Sequence, residues 1–248
     1  MKILVCISSV PDTTSKINFT ADKSAFDKNG IQWVINPLDE FALTKAIKLQ
    51  ESQGATVTVA NVGDVATEAV IRKALAIGAN DAVRVNVEPK DSFSVAKEIA
   101  NIAQIGGYDL ILCGKESIDY NGGAVPGMVA QLLNQPFVNG CVGLEVNGSE
   151  ATAVREIDGG KETIAVKLPA VIAGQKGMVD EKDLIIPNMR GIMSARTKPL
   201  QVQEPTSSEV KVVGVSYDSV PQRAAVKMVT PDNLDELVRL LHEEAKVI

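Results

Sequence analysis

The chain is poor in the residues on which most enzyme chemistry rests. It has one histidine, His242, in a C-terminal stretch of helical spacing, where a solvated helix residue is the plain reading. No imidazole is therefore placed for a Ser-His-Asp triad, and no carboxylate pair stands out for acid–base work, so no catalytic residue is expected. The three cysteines, Cys6, Cys113 and Cys141, are odd in number and far apart. They fit neither a zinc site nor a disulfide framework, and they point to a reducing compartment. Aromatic residues make up only 4% of the 248 residues and the net charge is −6, so neither stacking platforms nor a basic face for nucleic acid is expected. No apolar run approaches a membrane span. The opening MKILVCISSVPD has a short apolar run before Ser8, which reads as a buried strand rather than a signal peptide, and a cytoplasmic location is expected. The usual nucleotide fingerprints are missing as well: no G-x-G-x-x-G follows the first strand, no Walker lysine loop exists, and no Ser-Gly-Gly loop suggests an ATP-dependent ligase.

What is present is an ordinary globular composition, 45% hydrophobic and 23% charged, enough for one large domain or a domain plus an arm. The first half alternates strand and helix. Strands are predicted at Ile3–Ile7, Ala55–Ala60, Asp81–Val87 and Tyr108–Cys113, and helices at Leu38–Gln50, from Ala66 to Ile77, after a cap at Ser92 or Ser94, and over Gly127–Asn134. The second of these helices carries a stripe of Ala66, Ala69, Val70, Ala74 and Ile77, with Lys73 as its polar exception. Such alternation predicts a doubly wound α/β layer with a mostly parallel sheet. From about residue 137 the pattern changes. Asn147-Gly148 and Asp158-Gly159-Gly160 are hairpin turns, which make an antiparallel extension. A short helical piece is expected near Gly191–Ala195, a last strand at Val212–Val215, and a C-terminal helix capped by Thr230, with Pro231 in its first turn and Leu234, Leu237, Val238 and Leu241 on one stripe. The organisation expected is a nucleotide-binding core over 1–175, a surface segment over 176–210 and a C-terminal arm over 211–248.

Ligands of an open parallel sheet bind beyond the carboxyl ends of its strands. Four segments leave such ends: Cys6–Thr13, Asn36-Pro37-Leu38-Asp39, Val62-Gly63, and the loop from Gly114 to Gly123. In the last, Gly122-Gly123 ahead of a helix lets backbone N–H groups approach an anion, with phosphate as the natural guest. Lys115 can add charge there, and Asp119 suits a ribose hydroxyl or a helix cap. The chain reads as a holder of a nucleotide.

The series Ala153, Arg155, Asp158, Gly159, Gly160, Glu162, Ile164, Pro169 and Val171-Ile172-Ala173 closely resembles the signature segment of the electron transfer flavoprotein beta-subunit family. The likeness continues in order along the chain: Val10–Thr13, Ile35–Leu43, Arg72–Asp81, Gly114–Asp119, Met189–Leu200 and Val220-Pro221-Gln222-Arg223. It departs from the family at Ser8-Ser9 and at Asn121–Pro126. The resemblance implies a Rossmann-like fold of the adenine nucleotide alpha hydrolase type. It implies a heterodimer with an alpha subunit that holds most of a redox FAD, and no catalysis by the beta chain alone. It also implies electron flow from flavoprotein dehydrogenases, such as acyl-CoA dehydrogenases, to a quinone oxidoreductase or another acceptor. An adenine nucleotide, AMP, is implied against Cys6, Asn36, Pro37, Leu38, Asp39, Val62, Gly114, Lys115, Asp119, Asn121, Gly122, Gly123, Ala124 and Val125, with Thr13 facing the partner's flavin. Met189 falls at the family's apolar anchor for the client dehydrogenase, with Ile192 beside it and Arg190 and Arg196 on a charged rim. Two alternatives stand: a bifurcating subunit with a second FAD in the same crevice, and a stand-alone adenine-nucleotide sensor of universal-stress type.

Overall fold

A computed structural model describes residues 1–223 and 225–248. In chain order the elements are β1 (Lys2–Cys6), β2 (Ser9–Pro11), β3 (Trp33–Ile35), α1 (Pro37–Gln53), β4 (Thr56–Val62), α2 (Glu68–Ile77), β5 (Asp81–Val85), α3 (Ser92–Gly106), β6 (Leu110–Gly114), α4 (Val125–Leu133), β7 (Phe137–Asn147), β8 (Glu150–Ile157), β9 (Gly160–Lys167), β10 (Ala170–Gly174), α5 (Met189–Ala195), β11 (Leu200–Gln203) and α6 (Leu234–Arg239). Nine strands form one sheet in the order β11-β5-β4-β1-β6-β10-β7-β8-β9, and β2 pairs with β3 in a small antiparallel ribbon. Every pairing from β11 to β7 is parallel; β8 and β9 continue the sheet as antiparallel strands. The fold is thus the doubly wound, mostly parallel sheet with an antiparallel extension that the alternation predicts.

Two apolar layers follow from strand alternation. Ile3, Val5, Val57, Val59, Leu110 and Leu112 face α1 and α2, while Leu4, Cys6, Ala60, Ile111 and Cys113 face α3 and α4. With side chains buried on both faces, the central strands read as nearly continuous apolar runs. The chain runs from β1 outward to β4 and β5, then returns to β6 on the other side of β1. The carboxyl ends of β1 and β6 are therefore the switch point of the winding, where loops diverge and leave a crevice.

The two hairpins form where the turn residues demand them. Gly148 and Gly159 take φ of 59° and 83°, which a side chain would resist. Across the second hairpin Arg155 pairs in register with Glu162, and their side chains form an ion pair at 2.6 Å.

Four local expectations are corrected. The cap of α3 is Asp91, whose carboxylate accepts the Ser94 amide at 2.8 Å while the Ser94 hydroxyl reaches back to the Asp91 amide. The buried face of α2 is Val70, Ile71, Ala74, Leu75 and Ile77, because the helix starts only at Glu68, after a tight turn over Val65–Thr67. The last strand is Leu200–Gln203, which takes the free edge of β5; Val212, Val213 and Val215 stay exposed outside any strand. The C-terminal helix begins at Leu234, because Asn233 supplies the cap to the Glu236 amide and Thr230 only closes the turn before it.

The chain divides into two compact units, one of Met1–Ile17 with Lys28–Val215 and one of Asn18–Asp27 with Ser216–Ile248. In the second, Phe19 stacks on Tyr217 with ring centroids 5.4 Å apart, the Tyr217 amide donates to the Lys23 carbonyl at 2.9 Å, and Lys23 pairs with Asp218 at 2.5 Å. The apolar stripe of α6 is exposed at Leu234, Leu237 and Val238. Among the described residues no helix is long and apolar enough to cross a membrane.

Candidate functional site

The strand ends at Cys6, Val62 and Gly114 are brought side by side, because β4, β1 and β6 are neighbours running the same way. Behind them α1 starts at Pro37, whose fixed φ suits a first turn and whose missing N–H costs nothing there. Its opening residues are committed inward. Asp39, 4% exposed, accepts the Ser8 amide at 2.7 Å and the Gly114 amide at 2.8 Å, so one carboxylate ties the exits of β1 and β6 together. Burial pushes its carboxyl up to about 7, against the downward pull of those amides and of the Asn36 side chain. Asn36 stitches the next loop. Its side-chain amide donates to the Glu116 carbonyl at 2.9 Å, and its oxygen accepts the Ile118 amide at 3.3 Å. Gly114 is required by close approach, since a Cβ there would run into the Asp39 carboxylate and Leu38.

The loop after β6 closes on itself. Ser117 and Gly122 exchange backbone hydrogen bonds at 2.9 and 3.2 Å, and Asn121 takes φ of 51° at the corner. Asp119 is spent inside the turn, accepting from the Ser117 hydroxyl and from the Tyr120 amide. The Lys115 amide goes to the Gly174 carbonyl at 2.7 Å, and the Gly122 amide goes to Ser117. Of the two glycine amides expected from the sequence to meet an anion, that of Gly122 is therefore occupied and that of Gly123 is open. The amides of Gly123, Ala124 and Val125 have no acceptor among the described residues, and α4 has no side-chain cap. Pro126 sits in its first turn.

The floor of the crevice on this side of the sheet is apolar and sulfur-bearing. Cys6, Cys113, Val62 and Val125 belong to one packed layer. The contact with the Cys6 thiol and burial together push the Cys113 thiol up well beyond its ordinary range. All three cysteines are free and buried. Two polar side chains at this edge escaped the sequence reading. Asn61 and Arg84 are register partners on β4 and β5, both buried, with Asn61 donating to the Ile7 carbonyl at 2.9 Å and Arg84 to the Gly63 carbonyl at 2.9 Å. A polar residue inside an otherwise apolar strand was the signal.

The remaining candidates lie elsewhere. Thr13 is exposed in the turn after β2, which Asp12 closes by accepting the Thr14 amide at 2.9 Å. Met189, Arg190, Ile192 and Arg196 lie on or just after α5, which packs on α2. The most exposed apolar residues of that segment are Ile186 at 85%, Met189 at 72% and Met193 at 66%, against 43% for Ile192. Ile186 and Met193 were not singled out from the sequence, although each directly follows another apolar residue, Ile185 and Ile192. A groove of about 550 Å³ lies between α2 and α5, lined by Ala69, Arg72, Lys73, Ala76, Ile192 and Arg196 among others. A second, of about 410 Å³, opens at the amino edge of the sheet beside Tyr108, Asp109 and Pro169.

Comparison with known proteins bears on this geometry. A sequence model of the electron transfer flavoprotein domain matches residues 24–208. The chain is 34% identical over 262 residues to the electron transfer flavoprotein subunit beta of Bacillus subtilis, covering all of both chains. It is 36% identical over 228 residues to the subunit beta of Syntrophomonas wolfei, covering 91% of this chain and 88% of that one. To the human subunit beta it is 31% identical over 245 residues, covering 94% and 95%.

Proposed function

Because the chain belongs to the electron transfer flavoprotein beta-subunit family, we propose that it joins an alpha subunit in a heterodimer that takes electrons from flavoprotein dehydrogenases. Acyl-CoA dehydrogenases are the client class, and a quinone oxidoreductase is the acceptor class. The redox chemistry is that of FAD held mainly by the partner, since no side chain here carries a hydride or an electron unaided. This chain binds, orients and docks. Similarity over the whole chain takes in the antiparallel extension, α5 and the C-terminal segment, which a stand-alone nucleotide sensor does not need.

The observation that carries the reading is the uncapped start of α4 beside an apolar strand-end floor. Amides of Gly123, Ala124 and Val125, with the positive end of the helix behind them, suit a phosphate. Cys6, Val62 and Val125 suit the flat face of an adenine, and Asn36–Asp39 hold the crevice open from behind. AMP fits this arrangement as a structural ligand, while Thr13 faces the partner's flavin and Met189 meets the client. Co-expression with the alpha subunit tests the reading. A yellow heterodimer that is reduced by an acyl-CoA dehydrogenase and its substrate supports it; a colourless chain that ignores the alpha subunit overturns it. Two flavins per heterodimer would identify the bifurcating form.

A further inference from the structure

Helix α5 has only seven residues, too few to persist in water without support. Its support comes from α2 and is reciprocal. The Arg72 guanidinium on α2 donates to the carbonyls of Ala195 at 2.7 Å and Lys198 at 2.8 Å, at the end of α5. The Lys198 ammonium, just past α5, donates to the carbonyls of Leu75 at 2.9 Å and Ala79 at 2.6 Å, at the end of α2. Each helix thus ends on a cation carried by the other's segment, at the pole where a helix attracts positive charge. Neither cation forms an ion pair among the described residues. Between them Gly191 lies so close to α2 that a Cβ would stand 2.5 Å from the Ala76 carbonyl, and the Asn188 side chain caps the Gly191 amide at 2.8 Å. Ile186, Met189 and Met193 project from this mount into solvent.

We propose that Arg72 and Lys198 are positioning residues of the docking surface. Their clasp sets α5, and with it Ile186, Met189 and Met193, in docking geometry before a client arrives. The inference rests on the docking reading of α5 given above. A preset apolar anchor avoids ordering at the moment of contact, so loosening the clasp weakens encounter with the client and leaves electron transfer in the formed complex alone.

The test uses the complete heterodimer carrying Arg72→Met or Lys198→Met, with Arg72→Lys and Lys198→Arg as conservative partners. Amides of residues 186–199 exchange about tenfold faster or more in the Met variants, while the central strands keep their protection. With an acyl-CoA dehydrogenase that reduces the wild type, KM for the heterodimer rises about fivefold or more, kcat stays within about twofold and flavin content is unchanged. Lys198→Arg recovers most of the loss. Unchanged exchange in α5 overturns the clasp, and faster exchange with unchanged KM overturns its positioning role. Should the Met variants fail to fold, Gly191→Ala keeps both cations and lifts α5 from Ala76; an unchanged KM there overturns the proposal. If no acyl-CoA dehydrogenase reduces the wild type, or if Met189→Ala leaves KM untouched, the docking reading fails and the exchange result alone decides whether the clasp exists.

Discussion

At the carboxyl edge of β1, β4 and β6 most polar side chains are tied to neighbouring loops, whereas along α5 and the C-terminal segment apolar groups are left in solvent. Asp39, Asn36, Asn61 and Arg84 all sit within hydrogen-bond reach of a neighbouring loop. Ile186, Met189, Val220, Val226 and Met228 are exposed. The first region is a cradle left open at the row of amides starting α4 and, among the described residues, at two buried side-chain atoms without a partner, Asn61 Oδ1 and Arg84 Nε. The second, on the function proposed above, is half of an interface. On that proposal, the difference teaches that ligand and partner leave opposite traces: unpaired donors for a small anion, and unburied carbon for a protein.

Experiments that break this contrast are expected to differ in size. Deleting residues 216–248 removes the exposed apolar side chains of the second unit. It should weaken the heterodimer by about 100-fold or more in a sedimentation or titration measurement, since interface energy concentrates in a few apolar anchors. An unchanged affinity would place the alpha-subunit contact on the first unit. Gly114→Ala attacks the cradle instead. The new Cβ meets the Asp39 carboxylate and Leu38, and overpacking of this kind costs roughly 1–3 kcal/mol. The thermal midpoint should fall by several degrees; no change would mean that Asp39 does not lock the two strand exits. Met189→Ala is expected to raise KM for the client about tenfold with flavin content unchanged, and loss of flavin would remove α5 from the docking role.

A smaller effect follows from Asp39 itself. Its carboxyl titrates near 7 when folded and near 3.8 when unfolded, so the folded chain binds the extra proton between these values. Stability from this group is full below about pH 4 and is lost as pH rises towards 7. The stability deficit of Asp39→Asn should therefore shrink from pH 4 to pH 7 in parallel denaturation curves, and a deficit that widens would contradict the raised titration. The smallest effect is at the hairpin. Arg155→Ala should cost about 0.2–1 kcal/mol, because its pair with Glu162 is partly exposed and cross-strand.

Periodicity made the parallel layer legible, because strands buried on both faces have no choice but to be apolar and helices between them must show a stripe. The same logic failed where local pattern and global vacancy disagree. Val212–Val215 has strand propensity, but Leu200–Gln203 had already taken the one open edge beside β5. Thr230-Pro231 resembles a helix start, but Asn233 lies closer to the apolar turn it serves. The crevice was legible as a place, since the switch point follows from strand order. Which amides stay open was not: Gly122 is occupied by Ser117 across a turn whose closure no spacing rule reveals. Nor could the clasp be read, because Arg72 and Lys198 are 126 positions apart from partner to partner. The contribution of Asn18–Asp27 to the second unit is equally non-local.

The most direct measurement is the count of adenine nucleotides released from the denatured, purified heterodimer, set against its flavin content. The cradle at α4 predicts one adenine compound beyond the partner's FAD, and its loss when Gly123→Val fills the approach to the open amides. A heterodimer that carries the partner's flavin and releases no further adenine compound would contradict it.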